Sequence, residues 1–273
     1  MATAVDIAKL RASTGAGMMD CKKALEDNGG DFDKAVDELR KKGSAKVAKR
    51  ADRETKEGII KIALSEDGQT AYILEANAET DFVSRNEKFQ TFADNVFELV
   101  KNQAPTDRAA LLALPMNDGT VQTALENFSV VIGEKLDLKN CAVVKSAGTL
   151  AIYSHLGGKI GVIVSLNKTG LDEVAHDVAM QIAASNPAYL TPEEVPAEIV
   201  AKEKEIYRAQ LLAEGKPEAM LEKIMEGKLN KFYQEVCLLK QFCIKDDKMT
   251  VEQYLKNAGE GVAIEKFVRF SLT

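Results

Sequence analysis

Apolar residues near the start of the sequence recur at intervals typical of helices. They form three groups, Val5–Leu10, Met18–Leu25 and Phe32–Leu39, in which apolar side chains return every three or four positions. Glycines separate the groups, and Asp31 precedes the third group at the position of a helix N-cap. The pattern predicts a three-helix module over residues 1–43.

A basic segment without helical periodicity follows this module. Between Arg40 and Lys56, eight Lys and Arg side chains face only two acidic ones. This composition is typical of a solvated linker, which we predict over residues 44–56. A nucleic-acid-binding arm is the alternative, although the segment has no aromatic side chains on which bases could stack.

A β-hairpin is predicted next. Gly58–Leu64 and Thr70–Ala76 are rich in β-branched and apolar residues and flank Asp67-Gly68, a dipeptide that favours tight hairpin turns. Ser84 and Glu87 then have the spacing of a helix capping box. Two further helices are expected around residues 107–114 and 120–133. Together these elements predict a first α+β subdomain over residues 57–140.

The order of strands followed by a helix then repeats. Three more strand-like runs precede an amphipathic helix around residues 171–182, and another run, Val262–Phe270, lies near the last residues. We predict a second α+β subdomain over residues 141–190 and 238–273, with an antiparallel sheet that the last run completes. The three runs are Leu138–Lys145, Leu150–His155 and Ile160–Leu166.

A charged segment interrupts the second subdomain. From Glu193 to Lys231, 16 of 39 residues are charged, while Ile199, Ile206 and Ala213 recur every seven positions. With a Gly and a Pro near its middle, this segment predicts an antiparallel helical hairpin over residues 191–237. Because its apolar stripe is thin, we expect the hairpin to protrude from the body of the protein. Three alternatives stay open for it: it binds a second copy of the chain, it binds another part of the partner, or it has no ligand.

Composition narrows the class of protein. The formal charge of −6 argues against wholesale attraction to nucleic acid or anionic lipid. The four cysteines form no C-x-x-C pair, and no apolar run has the length of a membrane span or the pattern of a signal peptide. A cytoplasmic protein with reduced thiols is the simplest interpretation.

Motifs for catalysis or cofactor binding are incomplete. His155 and His176 have no neighbours at zinc-ligand spacing. Gly15-Ala16-Gly17 lacks the third glycine of a dinucleotide fingerprint, and Gly158-Lys159 is followed by Ile160 where a P-loop needs Ser or Thr. We therefore expect no catalytic residues and no cofactor, with an unrecognised enzyme as a poorly supported alternative.

The run Glu79-Thr80-Asp81-Phe82-Val83 is unusual because an acidic residue and an aromatic one follow the predicted hairpin directly. Two interpretations remain open. In the first, Asp81 forms a turn and Phe82 covers the core. Alternatively, both side chains face solvent, where an aromatic wedge beside a carboxylate suits the opening of a partner's packed site.

Three motifs resemble those of the elongation factor Ts family. Thr14–Leu25, with the sequence TGAGMMDCKKAL, is similar to the family's N-terminal signature, and Glu79–Val83, ETDFV, to its second. Tyr153 and His155 with Gly158–Val162, GKIGV, match the third. The resemblance covers essentially the whole chain, with its motifs in the family's order.

The resemblance implies a fold and a function. The family has an N-terminal three-helix module resembling a ubiquitin-associated domain, a core of two α+β subdomains and an inserted antiparallel coiled-coil hairpin. Its members are guanine-nucleotide exchange factors. They bind the GTPase elongation factor Tu, disrupt its magnesium and phosphate site, and promote GDP release so that GTP binds during translation elongation.

The family's contact residues map onto matching positions of this sequence. The Asp-Phe pair and its neighbours would enter the GTPase domain, which the N-terminal module also grips. A third group would lie in the contact surface, and a histidine of the second subdomain would hold another domain of the partner. These positions are Thr80, Asp81, Phe82 and Val83; Arg11, Met18, Met19 and Lys22; Ile132 and Gly133; and His155.

Two departures from the family limit this transfer. The additional C-terminal module of longer members has no counterpart, and Gln241 is not followed by the usual proline. The main alternative function is an RNA-binding or ribosome-binding adaptor that uses Arg40–Lys56. A homodimer or a 2:2 complex through the helical hairpin is also compatible with the sequence.

Overall fold

The fold combines helices with antiparallel sheets, which confirms the predicted α+β class. The computed structural model describes residues 2–273, so Met1 of the predicted N-terminal module lies outside the described residues. No helix in this range is both long enough and apolar enough to cross a membrane.

Three helices form the N-terminal part. A small core of Leu10, Cys21, Leu25 and neighbouring apolar side chains holds them together. The carboxylate of Asp31 accepts a hydrogen bond from the Lys34 amide at 3.1 Å, as the N-cap prediction requires. The helices are α1 (Ala4–Thr14), α2 (Met18–Asp27) and α3 (Phe32–Ala48).

The next part contains a three-stranded antiparallel sheet in the order β1-β2-β5, covered on one face by helices. The predicted hairpin is confirmed, with Glu57 paired to Ala78 and Leu64 to Ala71. The elements are β1 (Glu57–Leu64), β2 (Thr70–Ala78), α4 (Asp81–Ser84), α5 (Glu87–Gln103), α6 (Arg108–Ala113), β3 (Pro115–Met116), β4 (Gly119–Thr120), α7 (Val121–Ile132) and β5 (Leu136–Lys145).

A second three-stranded sheet follows, in the order β10-β7-β6, and the predicted last strand completes it. Helices α8 and α11 cover one of its faces. The elements are β6 (Thr149–His155), β7 (Ile160–Leu166), α8 (Asp172–Ser185), α9 (Ala197–Ala213), α10 (Glu218–Val236), β8 (Phe242–Cys243), β9 (Asp246–Thr250), α11 (Val251–Ala258) and β10 (Ile264–Ser271), with short 3₁₀ helices at Pro192–Glu194 and Leu238–Lys240.

The two sheets pack face to face. Ile60 and Ile73 of the first sheet share a core with Ile163 of the second. At Gly161 the sheets approach so closely that a Cβ atom would lie 2.6 Å from the Ile60 side chain. This packing holds the ends of β1, β2 and β6 together, which matters for the candidate site.

Two predicted boundaries need correction. Helix α3 continues to Ala48, inside the predicted 44–56 linker. Its buried Gly43 lies close against α7, where a Cβ atom would be 3.2 Å from the Val130 side chain. The division between residues 140 and 141 falls inside β5, which pairs along its length with β2 and so belongs to the first sheet. A boundary after Lys145 fits the pairing.

The predicted capping box at Ser84 and Glu87 is wrong. Asn86 is the N-cap of α5, and its side-chain oxygen accepts a hydrogen bond from the Lys88 amide at 2.9 Å. Ser84 instead ends α4, where its hydroxyl donates to the Asp81 carbonyl at 3.1 Å. The extra short helix moves the start of α5 beyond the Ser84 position.

Helices α9 and α10 contact each other across a short turn. Lys228 of α10 donates a hydrogen bond to the Gln210 side chain at 3.1 Å and lies over the ring of Tyr207. Within the two described helices, only Leu211 and Leu221 are buried. Packing of the coiled-coil type therefore stays a prediction.

Candidate protein interface

The Asp81–Phe82 turn presents its aromatic ring to solvent. Phe82 is 84% exposed, so it does not cover the core, and the second interpretation of the sequence holds for this side chain. Val83, the next residue, packs against the core of the first sheet. Thr80 caps α4, with its hydroxyl oxygen 3.4 Å from the Val83 amide.

Two carboxylates hold the residues just before this turn. Glu134 accepts hydrogen bonds from the Thr80 amide at 3.1 Å and from the Thr80 hydroxyl at 2.8 Å. In return, Glu79 accepts one from the Lys135 amide at 2.5 Å. We name these four residues, Glu79, Thr80, Glu134 and Lys135, the reciprocal clamp, because each segment binds the other's backbone.

The reciprocal clamp also binds the segment after α3. Arg53 donates to both oxygens of Glu79, at 3.2 and 3.1 Å. The ammonium group of Lys135 donates to the carbonyls of Ala51 and Arg53, at 2.6 and 2.8 Å. The connection between the N-terminal helices and the core therefore meets the turn at a defined place.

Asp81 stays accessible next to Phe82. Its carboxylate pairs with Arg85 one helical turn later, at 3.2 Å, and 80% of the Arg85 side chain is exposed. An ion pair this open is weakly held in water. The carboxylate is therefore free to exchange Arg85 for a partner's group.

The four predicted contact residues of the N-terminal helices, Arg11, Met18, Met19 and Lys22, are all exposed. Arg11 and Met18 line a groove whose far side is formed by Lys88 of α5 and Val131 of α7.

Gly15 makes that arrangement of the helices feasible. It adopts the left-handed conformation at φ 65°, and a Cβ atom there would lie 2.3 Å from Val131. The predicted contact residues Arg11 and Met18 are thereby placed beside the end of α7 that precedes the reciprocal clamp.

Ile132 and Gly133 lie immediately before the reciprocal clamp. Gly133 ends α7 in the left-handed conformation, and its amide donates to the Ser129 carbonyl at 2.9 Å. Gly133 is exposed, whereas Ile132 is half-buried against the core of the first sheet. Of this pair, Gly133 offers the more open surface.

His155 lies on the second sheet, at the end of β6. It is exposed, and its Nδ1 lies 3.1 Å from the Tyr153 hydroxyl. The following loop reaches β1, where Lys159 bonds to Glu57. Because Glu57 pairs with Ala78, this loop and the Asp81–Phe82 turn lie at the same end of the β1–β2 hairpin. The structure contains no direct bond between His155 and the described residues of that turn.

The basic segment is largely occupied by contacts inside the protein. At least five of its eight cationic side chains bind acidic groups or carbonyl oxygens, so this segment gives no observation in favour of a nucleic-acid arm. These contacts are Lys42 with Glu38, Lys46 with Asp20, Arg50 with the Ser129 carbonyl, Arg53 with Glu79, and Lys56 with Glu54.

Three of the four thiols, those of Cys141, Cys237 and Cys243, are poor nucleophiles at neutral pH. Burial raises the pKa of Cys141 and that of Cys237 to about 11, and burial also raises the pKa of Cys243. Among residues 2–273, no group of three or more His, Cys, Asp or Glu side chains is arranged to hold a metal ion.

The sequence pattern did not reveal the contacts of Glu134 and Lys135 with the Asp81–Phe82 turn's flanking residues. Glu134 and Lys135 lie 54 and 56 residues from their partners Thr80 and Glu79, so no local pattern reveals the pairing. The available signal was their position next to Ile132 and Gly133, a pair already singled out as a contact surface. Each of the two motifs has a carboxylate next to it, Glu79 before Asp81–Phe82 and Glu134 after Ile132–Gly133. Such carboxylates are candidates for linking the two segments.

Comparisons with known proteins all identify the same family. A family model described as "Elongation factor TS" matches residues 79–273 and so begins at Glu79 of the reciprocal clamp. The "Elongation factor Ts" of Chlorobaculum parvum is 45% identical over 282 residues, covering 99% of this chain and 98% of that protein.

Relatives from other organisms give the same result. The "Elongation factor Ts" of Thermobifida fusca is 47% identical over 277 residues, with coverage of 99% of this chain and 98% of the relative. That of Clostridium botulinum (strain Alaska E43 / Type E3) is 41% identical over 280 residues, covering 99% and 92%.

Proposed function

The chain belongs to the elongation factor Ts family, and from this premise we propose that it binds the GTPase elongation factor Tu and accelerates release of GDP from it. The observation that carries the proposal is the Asp81–Phe82 turn, which presents a large exposed aromatic ring beside an accessible carboxylate. An aromatic side chain entering a pocket of a partner is the usual form of an interface hot spot.

The proposed mechanism is the displacement of nucleotide contacts in the partner. A GTPase holds GDP through backbone amides of its phosphate loop and through Mg²⁺ at the phosphates. Phe82 would wedge between side chains near the partner's magnesium site, with Asp81 beside it. Disturbing the metal's ligands and the loop together removes both sources of affinity for GDP.

The energy required is within reach of such an interface. Moving an equilibrium from 1:99 to 99:1 in favour of the nucleotide-free conformation takes about 5.5 kcal/mol of differential affinity. A single hot-spot side chain contributes about 2 to 4 kcal/mol, and the remaining contacts supply the rest. No covalent step is needed, and we therefore propose that the chain is not an enzyme in the chemical sense.

We propose that three further groups hold the partner while the wedge acts. The exposed residues of the N-terminal helices would bind the same GTPase domain, next to the end of α7. The loop of the second sheet would bind a different domain of the partner. The residues are Arg11, Met18, Met19 and Lys22; Ile132 and Gly133, with Thr80 and Val83 at the wedge; and His155.

We propose a separate role for each of three parts of the chain. The N-terminal helices form a partner-binding module, the two sheets with their helices form a core of two subdomains divided after Lys145, and α9 with α10 forms a protruding coiled-coil hairpin. Translation elongation would place this activity in the cytoplasm. A second copy of the chain is a possible ligand of the hairpin in a 2:2 complex.

The direct test is release of a fluorescent GDP analogue from purified elongation factor Tu in excess unlabelled GDP. We expect addition of this protein to accelerate release by orders of magnitude, in proportion to its concentration until binding saturates. A folded protein that leaves the release rate unchanged would contradict the proposal. RNA binding that falls steeply with salt would then bring the adaptor function forward.

A further inference from the structure

We propose that Glu134 is a positioning residue for nucleotide exchange, which sets Asp81 and Phe82 in their active orientation before the partner binds. This inference rests on the proposed function, since it concerns the same turn. The Glu134 carboxylate accepts its hydrogen bonds from Thr80. These bonds do not involve Asp81 or Phe82. The effect of Glu134 on exchange must therefore pass through the geometry of the turn.

The turn needs external support because it is short and exposed. Helix α4 has four residues, and the first turn of a helix fixes several backbone dihedrals for one hydrogen bond. Phe82 is 84% exposed, so its own ring contributes little burial energy to hold the segment. The support therefore has to come from groups on either side of Asp81 and Phe82.

Glu134 supplies that support at the N-terminal side. Its carboxylate accepts both donors of Thr80, the amide and the hydroxyl, and hydrogen bonds to an ionised acceptor are about twice as strong as neutral ones. Because the hydroxyl proton points to Glu134, a lone pair of the same oxygen faces the Val83 amide. One carboxylate thus fixes both the start of α4 and the direction of its cap.

Glu134 is itself held firmly. Its carbonyl accepts a hydrogen bond at 2.5 Å from Ser129, which is buried in α7. Its neighbour Lys135 bonds through its amide to Glu79, and through its ammonium group to the segment after α3. Through Glu134, the position of Thr80 is therefore fixed relative to helix α7 of the core.

Preorganisation of this kind changes apparent affinity. If the turn adopts the active orientation only part of the time, the apparent dissociation constant rises by the inverse of that fraction. Loss of the Glu134 carboxylate would let α4 fray and would reduce the fraction of productive encounters. Exchange measured at limiting factor concentration reports this change directly.

The test compares Glu134→Ala and Glu134→Gln in the GDP-release assay at limiting concentrations of the factor. We expect about a tenfold slower release with Glu134→Ala. Glu134→Gln should lose less, since its carbonyl oxygen can still accept from the Thr80 hydroxyl. The matched control is Glu126→Ala, which removes another carboxylate of α7, one that accepts a hydrogen bond from Gln122 of the same helix, and it should exchange as wild type does.

A double-mutant cycle separates positioning from general stability. In the Phe82→Ala background, Glu134→Ala should slow release much less than it does in the wild-type background, because the Phe82 ring, one of the two groups it positions, is absent. Hydrogen exchange at the Val83 amide should become at least tenfold faster in Glu134→Ala, while amides of the β1–β2 hairpin keep their protection. If Glu134→Ala unfolds, the Glu134→Gln cycle provides the same comparison.

The outcomes are distinct. If wild type does not accelerate GDP release, the proposed function fails. If wild type and Phe82→Ala differ as expected but Glu134→Ala and Glu134→Gln exchange normally, only the positioning role fails. Equal losses from Glu134→Ala with and without the Phe82 ring would also overturn it, since the carboxylate would then act independently of Phe82.

Discussion

Two turns of the molecule expose large apolar side chains, and different chemistry fixes each of them. The Asp81–Phe82 turn of the first half is held by the charged carboxylates of the reciprocal clamp. The β8–β9 hairpin of the second half exposes Phe242 and Ile244, at 47% and 53%. Buried amides hold this second turn, together with an ion pair between Lys245 and Asp177 at 2.6 Å, although its sequence lacks the proline that the family usually has after Gln241.

The amides of the second turn are buried, unlike the clamp. Gln181 of α8 is 3% exposed; its side chain accepts from the Ile244 amide at 2.8 Å and donates to the Phe242 carbonyl at 3.1 Å. It also donates to Gln241, whose own amide reaches the Glu235 carbonyl at 3.0 Å. These bonds join the turn to α8 and to the end of α10.

The difference determines what a mutation changes. A buried amide network cannot be broken without leaving unsatisfied polar groups in the interior, so its loss weakens the whole fold. The carboxylates of the half-buried clamp can be rehydrated when it is broken, so its loss is more local. We therefore expect stability changes from the second turn and exchange changes from the first.

The largest expected stability effect is that of Gln181→Leu. The change leaves the Ile244 amide and the Phe242 carbonyl without their buried partner, which costs about 3 kcal/mol of unfolding free energy. Urea unfolding measures it. The control Gln122→Leu, at a half-buried position of α7, should cost less than about 0.5 kcal/mol. Equal unfolding free energies of the two variants would contradict the claim that the buried amides of the second turn stabilise the whole fold.

A smaller effect is expected at the helix that follows the first turn. Asn86→Ala removes the N-cap of α5 and should lower the unfolding free energy by about 1 kcal/mol. Thr250→Ala, at the capping box of α11 after the second turn, should cost a similar amount. Thermal unfolding of both variants checks this. A larger loss from Glu87→Ala than from Asn86→Ala would favour the capping box first predicted at Ser84.

The smallest effect is expected from Arg85→Ala. Its ion pair with Asp81 is exposed, so removal should change the unfolding free energy by less than about 0.5 kcal/mol and GDP release by less than about threefold. Calorimetry and the release assay measure the two quantities. A tenfold change in release would mean that Arg85 itself orients Asp81 or contacts the partner.

Local patterns predicted much of the fold. Asp67-Gly68 marked the hairpin and Asp31 marked the start of α3, because each signal depends on residues a few positions apart. The pairing of β5 with β2 depends on contacts 65 residues apart, such as Glu75 with Asn140, and the local pattern could not place it. The boundary at residue 140 was wrong for this reason.

The candidate site was predicted in part for the same physical reason. The motif containing Asp81 and Phe82 stood out in the sequence, but its local composition was compatible with both a buried and an exposed ring. Exposure is decided by where Val83 packs and by what holds Thr80. Those interactions come from distant segments, so only the three-dimensional structure reveals them.

The measurement closest to the central claim is GDP release from elongation factor Tu with wild type, Phe82→Ala and Leu64→Ala. Leu64 is an exposed apolar residue at the other end of β1 and is the matched control. We predict that Phe82→Ala slows exchange about 30-fold or more, equivalent to about 2 kcal/mol, with unfolding free energy unchanged, while Leu64→Ala exchanges normally. Normal exchange by Phe82→Ala, or a loss of exchange matched by a loss of stability, would contradict the wedge.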